Sequence, residues 1–171
     1  RDDGSPEHTY APAIGRGEGQ RNRQVDQPGL SGVLLEGQPS LPLAEGEGQW
    51  CLALPDDLDG VQVMRCSRWD PSGDGSELWT PFAADGRIPD SDNDRASRSG
   101  EQASAAIAVK FTLPPGANRE IPLVISWDLP VTAFASGSSA LRRYTDFFGS
   151  SGCNAAAIAA EALRDWRQWR E

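Results

Sequence analysis

A chain of 171 residues has room for one domain with a core of its own. Its formal net charge of −9, from 25 acidic against 16 basic side chains, argues against duplex nucleic acid or an anionic membrane surface as the main partner, because those affinities come from lysine and arginine. No apolar run approaches the roughly 18 residues that a bilayer-spanning helix needs.

The chain starts at Arg1 and its single methionine is Met64, so it is read as a piece of a longer protein. Its first residues, RDDGSPEHTY, do not follow the basic-then-apolar pattern of a secretory signal. Residues 1–29 are polar and rich in glycine, proline and charge, with no apolar period. They are read as a loop-like or partly disordered segment. The GRGEG at residues 15–19 has no apolar strand before it and no helix pattern after it, so it is not a phosphate-binding fingerprint.

From Leu30 onward, short apolar runs alternate with turn clusters, the pattern of an all-β domain. Candidate strands are residues 32–35 (GVLL), 49–54 (QWCLAL), 61–69 (VQVMRCSRW) and 78–83 (LWTPFA). Residues 85–101 hold little apolar apart from Ile88 and read as a solvated acidic loop. Two later strands alternate most clearly. Residues 105–113 put Ile107, Val109, Phe111 and Leu113 on one face, and residues 121–129 put Ile121, Leu123, Ile125 and Trp127 on one face. The PPGANRE between them has hairpin chemistry, which pairs the two strands antiparallel within one layer of a sandwich.

One helix is expected, opened by Asn154 as N-cap and running through AAAIAAEALRDWRQWRE to the last residue. Ile158, Ala162, Trp166 and Trp169 share a face. The surface for its two tryptophans is either the sandwich or a further domain. No C-cap glycine or proline follows, so this edge also reads as a cut.

Cys51, Cys66 and Cys153 are odd in number and widely spaced, unlike a disulfide framework or a zinc signature. They are read as buried free thiols in a reducing compartment, the cytoplasm. The absence of an Asn-x-Ser/Thr sequon leans the same way. A Ser-His-Asp or Cys-His catalytic set would have to use His8, the only histidine, which reads as solvent-exposed. Asp90, Asp92, Asp94 and Glu101 mimic calcium-loop positions, but Arg95 stands where the sharp turn needs glycine. Asp70 and Asp74 repeat part of that pattern, with Pro81 at its last position. These read as solvated acidic loops, with no metal and no cofactor expected. A carboxylate pair for sugar hydrolysis is not singled out by any feature. Trp50, Trp69, Trp79 and Trp127 lie in or beside strands, where packing is their commoner use than a sugar platform.

Trp127 to Pro130 (WDLP), Arg143 to Gly149 (RYTDFFG) and the Ala-rich helix ending in tryptophans resemble, in this order and spacing, a stretch of family 116 glycoside hydrolases. GEGQWCLALP (residues 46–55) and RWDPSGDGSELWTPFAADG (residues 68–86) resemble the same N-terminal domain. The resemblance implies an antiparallel β-sandwich followed by an (α/α)6 barrel. It implies a retaining β-glycosidase with a glutamate nucleophile and an aspartate acid/base, acting on β-glucosides or glucosylceramide. Both catalytic residues would belong to the barrel, so no position of this chain is expected to be catalytic.

The expected fold is therefore mainly β, an antiparallel sandwich with one C-terminal helix leading to an absent barrel. Residues 1–29 are expected to be loop-like, 30–150 to form the sandwich, and 151–171 to be a linker helix towards the catalytic domain. That domain is the expected partner, with a β-glucoside or glucosylceramide-like substrate for the whole enzyme. Trp127, Asp128, Arg143, Tyr144, Asp146, Phe147, Phe148, Trp166 and Trp169 are the candidates for the interdomain interface. The competing reading is a free-standing carbohydrate-binding or interaction module.

Overall fold

A computed structural model describes residues 18–170. The chain runs β1 (Arg21–Gln27), β2 (Leu30–Glu36), β3 (Gln49–Leu54), β4 (Val61–Trp69), α1 (Ser76–Asp85), β5 (Ser104–Phe111), β6 (Val124–Asp128), β7 (Val131–Ala133), β8 (Ser139–Leu141), α2 (Thr145–Phe148) and α3 (Ala155–Asp165), then a 3-10 turn at Gln168–Arg170. The domain is mainly β, sandwich-like, with a C-terminal helix, as the alternation and the resemblance led one to expect. β2, β3 and β4 lie where their apolar runs placed them.

Four strands form one antiparallel sheet in the order β1-β2-β3-β6. β4 and β5 form a second antiparallel pair, and β7 and β8 a short hairpin. Alternation gives the four-stranded sheet two different faces. Leu34, Cys51 and Ser126 align across it and face α3. Val33 and Gln24 point the other way, where Gln24 Nε2 donates to the Arg65 carbonyl of β4 at 2.8 Å. The sheet is thus the middle layer, with α3 on one side and the β4–β5 pair on the other.

The expected loop at residues 1–29 is corrected at Arg21–Gln27, which is strand β1, with all seven residues in register with β2. Its sequence, RNRQVDQ, hides the strand because Val25 is its one apolar side chain on the core and its most buried residue, Asn22, is an amide. His8 and the start of the GRGEG segment lie outside the described residues.

The strand expected at residues 78–83 is instead part of helix α1. Gly75 and Gly86 both adopt left-handed backbone at its ends, and the Gly86 amide donates to the Phe82 carbonyl at 2.8 Å. Leu78 and Phe82, four apart, lie along one side of the helix, so a helical period was present in a run read for alternation. Pro81 sits inside the helix and removes one backbone donor.

β5 and β6 do not pair with each other as expected: β5 pairs with β4 and β6 with β3. The buried face of each is also the opposite one. Ala108 is buried while Phe111 and Leu113 are exposed. On β6, Ser126 and Asp128 are buried, whereas Leu123, Ile125 and Trp127 are exposed. For β6 the reason is α3, which covers the Val124–Ser126 side and accepts a 2.7 Å bond from Ser126 Oγ at the Ala155 carbonyl.

Helix α3 meets the sheet through a face other than its tryptophan face, so of the two surfaces left open for the tryptophans the sheet is not the one. Its buried residues are Ala155, Ala159 and Leu163, packed with Leu30, Leu34, Cys51 and Ala53. Small side chains let the helix axis approach the sheet closely, so alanine rather than tryptophan makes this interface. A second cluster, Met64, Cys66, Ile88 and Ala108, is capped by Leu78 of α1 and Trp69. Cys51 and Cys66 are buried free thiols, and burial pushes the Cys51 thiol up to about 12. Cys153 departs from expectation: it is exposed, in the loop before α3.

The acidic loop does more than carry charge. Ser91 forms a parallel bridge with Cys66. Asp90 Oδ1 accepts from the Arg65 amide at 3.0 Å, and Asp92 Oδ1 from the Gln24 amide at 2.8 Å. Residues 86–103 therefore tie β1 to β4 and join the two sheets.

Candidate functional site

The segments that carry the resemblance converge on one carboxylate. Asp128 ends β6 and is fully buried. Its Oδ1 accepts the Tyr144 hydroxyl at 2.8 Å, and its Oδ2 accepts both the backbone amide and Nδ2 of Asn154 at 2.8 Å. Three donors around one charge satisfy it without a cationic partner. The carboxylate also stands at the start of α3, where the helix dipole favours negative charge. Asn154 was expected to cap α3 with its own side chain. Its side chain makes no capping bond and is used instead on Asp128 and Ser151 Oγ.

The backbone around Asp128 leaves no slack. A Cβ on Gly48 would stand 1.9 Å from the Asp128 carbonyl oxygen, and Gly48 has φ of 148°. Only glycine fits there. The Tyr144 hydroxyl is held well above the ordinary tyrosine range by burial first, then by its bond to Asp128. The hairpin β7–β8 brings Tyr144 into place: the Arg142 amide donates to the Pro130 carbonyl at 2.8 Å, and Thr145 Oγ1 donates to the Arg142 carbonyl at 2.7 Å.

Of the candidate interface residues, the structure brings Asp128 and Tyr144 together inside the domain. Their contact is internal, so Asp128 presents nothing at the surface. Arg143 and Asp146 are exposed, and among the described residues neither forms an ion pair. Phe147 is 81% exposed on α2, and Trp169 is 68% exposed. Phe148 and Trp166 are half-buried and line one groove of about 860 Å³ between α3 and the loops at Pro55–Asp59 and residues 119–122. Arg167 places its guanidinium 5.0 Å above the Trp166 ring. Trp127, 51% exposed, packs against Trp50 of β3 with ring centroids 5.4 Å apart and planes tilted by 40°. Gly48 was missed, while Trp50 was read as a strand tryptophan and Asn154 as a helix cap, neither of them tied to Asp128 or Trp127. Gly48 carried a faint signal, as a glycine directly before an apolar strand.

The acidic residues at calcium-like spacing have local uses. Asp70 accepts from the amide and hydroxyl of Ser72, and Asp74 from the Ser76 amide, which hold both carboxyls below their usual range. Glu101 accepts from the Arg98 amide, Arg95 and Arg68, and is lowered by these donors. Among the described residues no group of three metal-ligating side chains comes together, and no helix is long and apolar enough to cross a membrane. The arrangement at Asp128 holds chain segments together and leaves no approach for a substrate.

The family model described as "beta-glucosidase 2, glycosyl-hydrolase family 116 N-term" matches residues 1–169. That span takes in Gly48, the WDLP and RYTDFFG segments and α3, which the geometry joins at Asp128. The chain therefore belongs to the glycosyl hydrolase family 116 N-terminal domain family.

Proposed function

We propose that this domain is the non-catalytic N-terminal β-sandwich of a retaining β-glucosidase or glucosylceramidase-type enzyme, and that it supports an (α/α)6 catalytic barrel. The observation that carries this reading is where the segments that carry the resemblance put their apolar side chains. Phe147 and Trp169 lie largely in solvent and Trp127 half so, each within or beside those segments. Exposed large apolar groups on such segments are what a docking partner covers. The barrel is that partner in this reading, and it supplies the glutamate nucleophile and the aspartate acid/base. The substrate is a β-glucoside, or a glucosylceramide-like molecule, of the whole enzyme. Free thiols at Cys51, Cys66 and Cys153 support a cytoplasmic setting.

The test uses the parent enzyme and this chain side by side on an aryl β-glucoside. The parent is expected to turn it over and this chain to be inert. Turnover by the chain alone, lost on substituting one of its carboxylates, overturns the proposal. Serine at Phe147 and Trp169 together in the parent is expected to lower the thermal midpoint of activity. An unchanged midpoint would mean that these side chains do not meet the barrel.

One observation favours the second reading, a carbohydrate-binding module. The Trp50–Trp127 pair lies on a sheet face with one ring half exposed. Quenching of tryptophan fluorescence by millimolar β-glucosides, lost in Trp127→Ala, would favour it over the supporting role.

A further inference from the structure

Buried polar atoms without partners are uncommon in folded proteins, and among the described residues three of the six fall on Gln20 and Asn22. Asn22 is fully excluded from solvent, yet neither Nδ2 nor Oδ1 meets a hydrogen-bonding group. Gln20, also buried, leaves Oε1 unpartnered although its Nε2 donates to the Ala103 carbonyl at 3.0 Å. These three atoms belong to residues two apart on an extended chain, so both side chains leave β1 and its lead-in on the same side. Gln24, two residues further along that side, reaches the Arg65 carbonyl and Asp90. At the other end the Gln20 amide donates to Ser97 Oγ at 2.9 Å, and the Ser97 amide donates to the Gln20 carbonyl at 2.8 Å. The unpartnered stretch thus lies between two well-bonded ends of one seam joining β1 to the second sheet.

We propose that Gln20 and Asn22 form a binding site for ordered internal water between β1 and the loop-and-β4 layer. The Asn22 carboxamide offers two N–H donors and a carbonyl acceptor, and Gln20 Oε1 offers a second acceptor. Water both donates and accepts, so it satisfies all three atoms, as neither an apolar group nor an ion would. The seam needs this because a buried amide without a partner costs the full loss of its hydration. Internal water with two to four protein partners is a regular part of protein interiors. It also accounts for how a strand reading RNRQVDQ is held inward without an apolar face.

The test is water-selective NOE and ROE spectroscopy on the isotopically labelled full chain. The expected result is cross-relaxation between water and the Asn22 Nδ2 protons with the sign of a long-lived complex. Asn22→Leu, which removes the donors and the acceptor that hold the water, is expected to lower the melting temperature by several degrees. Cross-peaks from those protons to protein protons alone, with none to water, would overturn the proposal. So would water signals with the sign of fast surface exchange. The wild-type spectrum decides between them even where a variant fails to fold.

Discussion

Asp128 shows how one side chain can organise three segments. Its carboxylate receives Tyr144 and two donors of Asn154, and removing it leaves the Tyr144 hydroxyl and the Asn154 amide in a half-buried site without their acceptor, while Asn154 Nδ2 keeps Ser151 Oγ. Asp128→Ala should therefore cost about 3 kcal/mol, read as a lowered urea midpoint at unchanged slope. Tyr144→Phe should cost less, about 1 kcal/mol, since it removes one hydrogen bond. The pH dependence of Tyr144 follows from its raised value. The folded state holds the phenol proton more tightly than the unfolded chain, so its contribution is complete below the unfolded tyrosine value of about 10. It is lost as pH rises from there through the higher folded value. Wild type should lose stability steeply above about pH 10, and Tyr144→Phe should flatten that loss in urea titrations. At Gly48, alanine would put its Cβ on the Asp128 carbonyl, so Gly48→Ala should fail to give cooperative unfolding.

At the scale of elements, α3 is the best example of a helix whose role depends on its neighbours. It was expected as a linker whose tryptophans meet either the sandwich or a further domain, and it is Ala155, Ala159 and Leu163 that make the contact with Leu34, Cys51 and Ala53. Ala159→Leu should overpack this interface and cost on the order of 1–3 kcal/mol by denaturant unfolding. Truncation before Asn154 should expose the sheet and abolish the cooperative transition, measured by circular dichroism. Helix α1 behaves differently, because none of its residues is buried and Pro81 interrupts its bonding. Pro81→Ala should raise stability by up to about 2 kcal/mol by restoring that donor. β2, β3 and β4 were legible because their alternating residues match the layers that cover them. β1 was not, since the inward positions of the strand and its lead-in carry Gln20, Asn22 and Gln24, which look like surface residues until the opposing layer is known. For β6 the alternation was visible but its sense was not: Ile125 and Trp127 are the apolar set, and the buried set is Ser126 and Asp128. Both α3 and its bond from Ser126 come from about 30 residues further along the chain.

The whole molecule carries two kinds of apolar surface. One is sealed between the sheet and α3, and the other, at Trp127, Phe147 and Trp169, faces solvent. Replacing the exposed three by serine should leave the unfolding midpoint of the chain nearly unchanged, within about 0.5 kcal/mol each. Acrylamide should quench the fluorescence of Trp169 more than that of Trp50, which is partly covered by its partner ring. The sequence by itself determined the mainly β class, the positions of three central strands, the start of α3 and the family, because alternation, capping chemistry and the WDLP and RYTDFFG motifs are local. Only the tertiary structure decided which strand pairs with which, which face of β6 and α3 is buried, and that Asp128 lies inside the domain. Those outcomes depend on residues far apart in sequence, and on a layer of alanines and amides whose burial no local pattern announces.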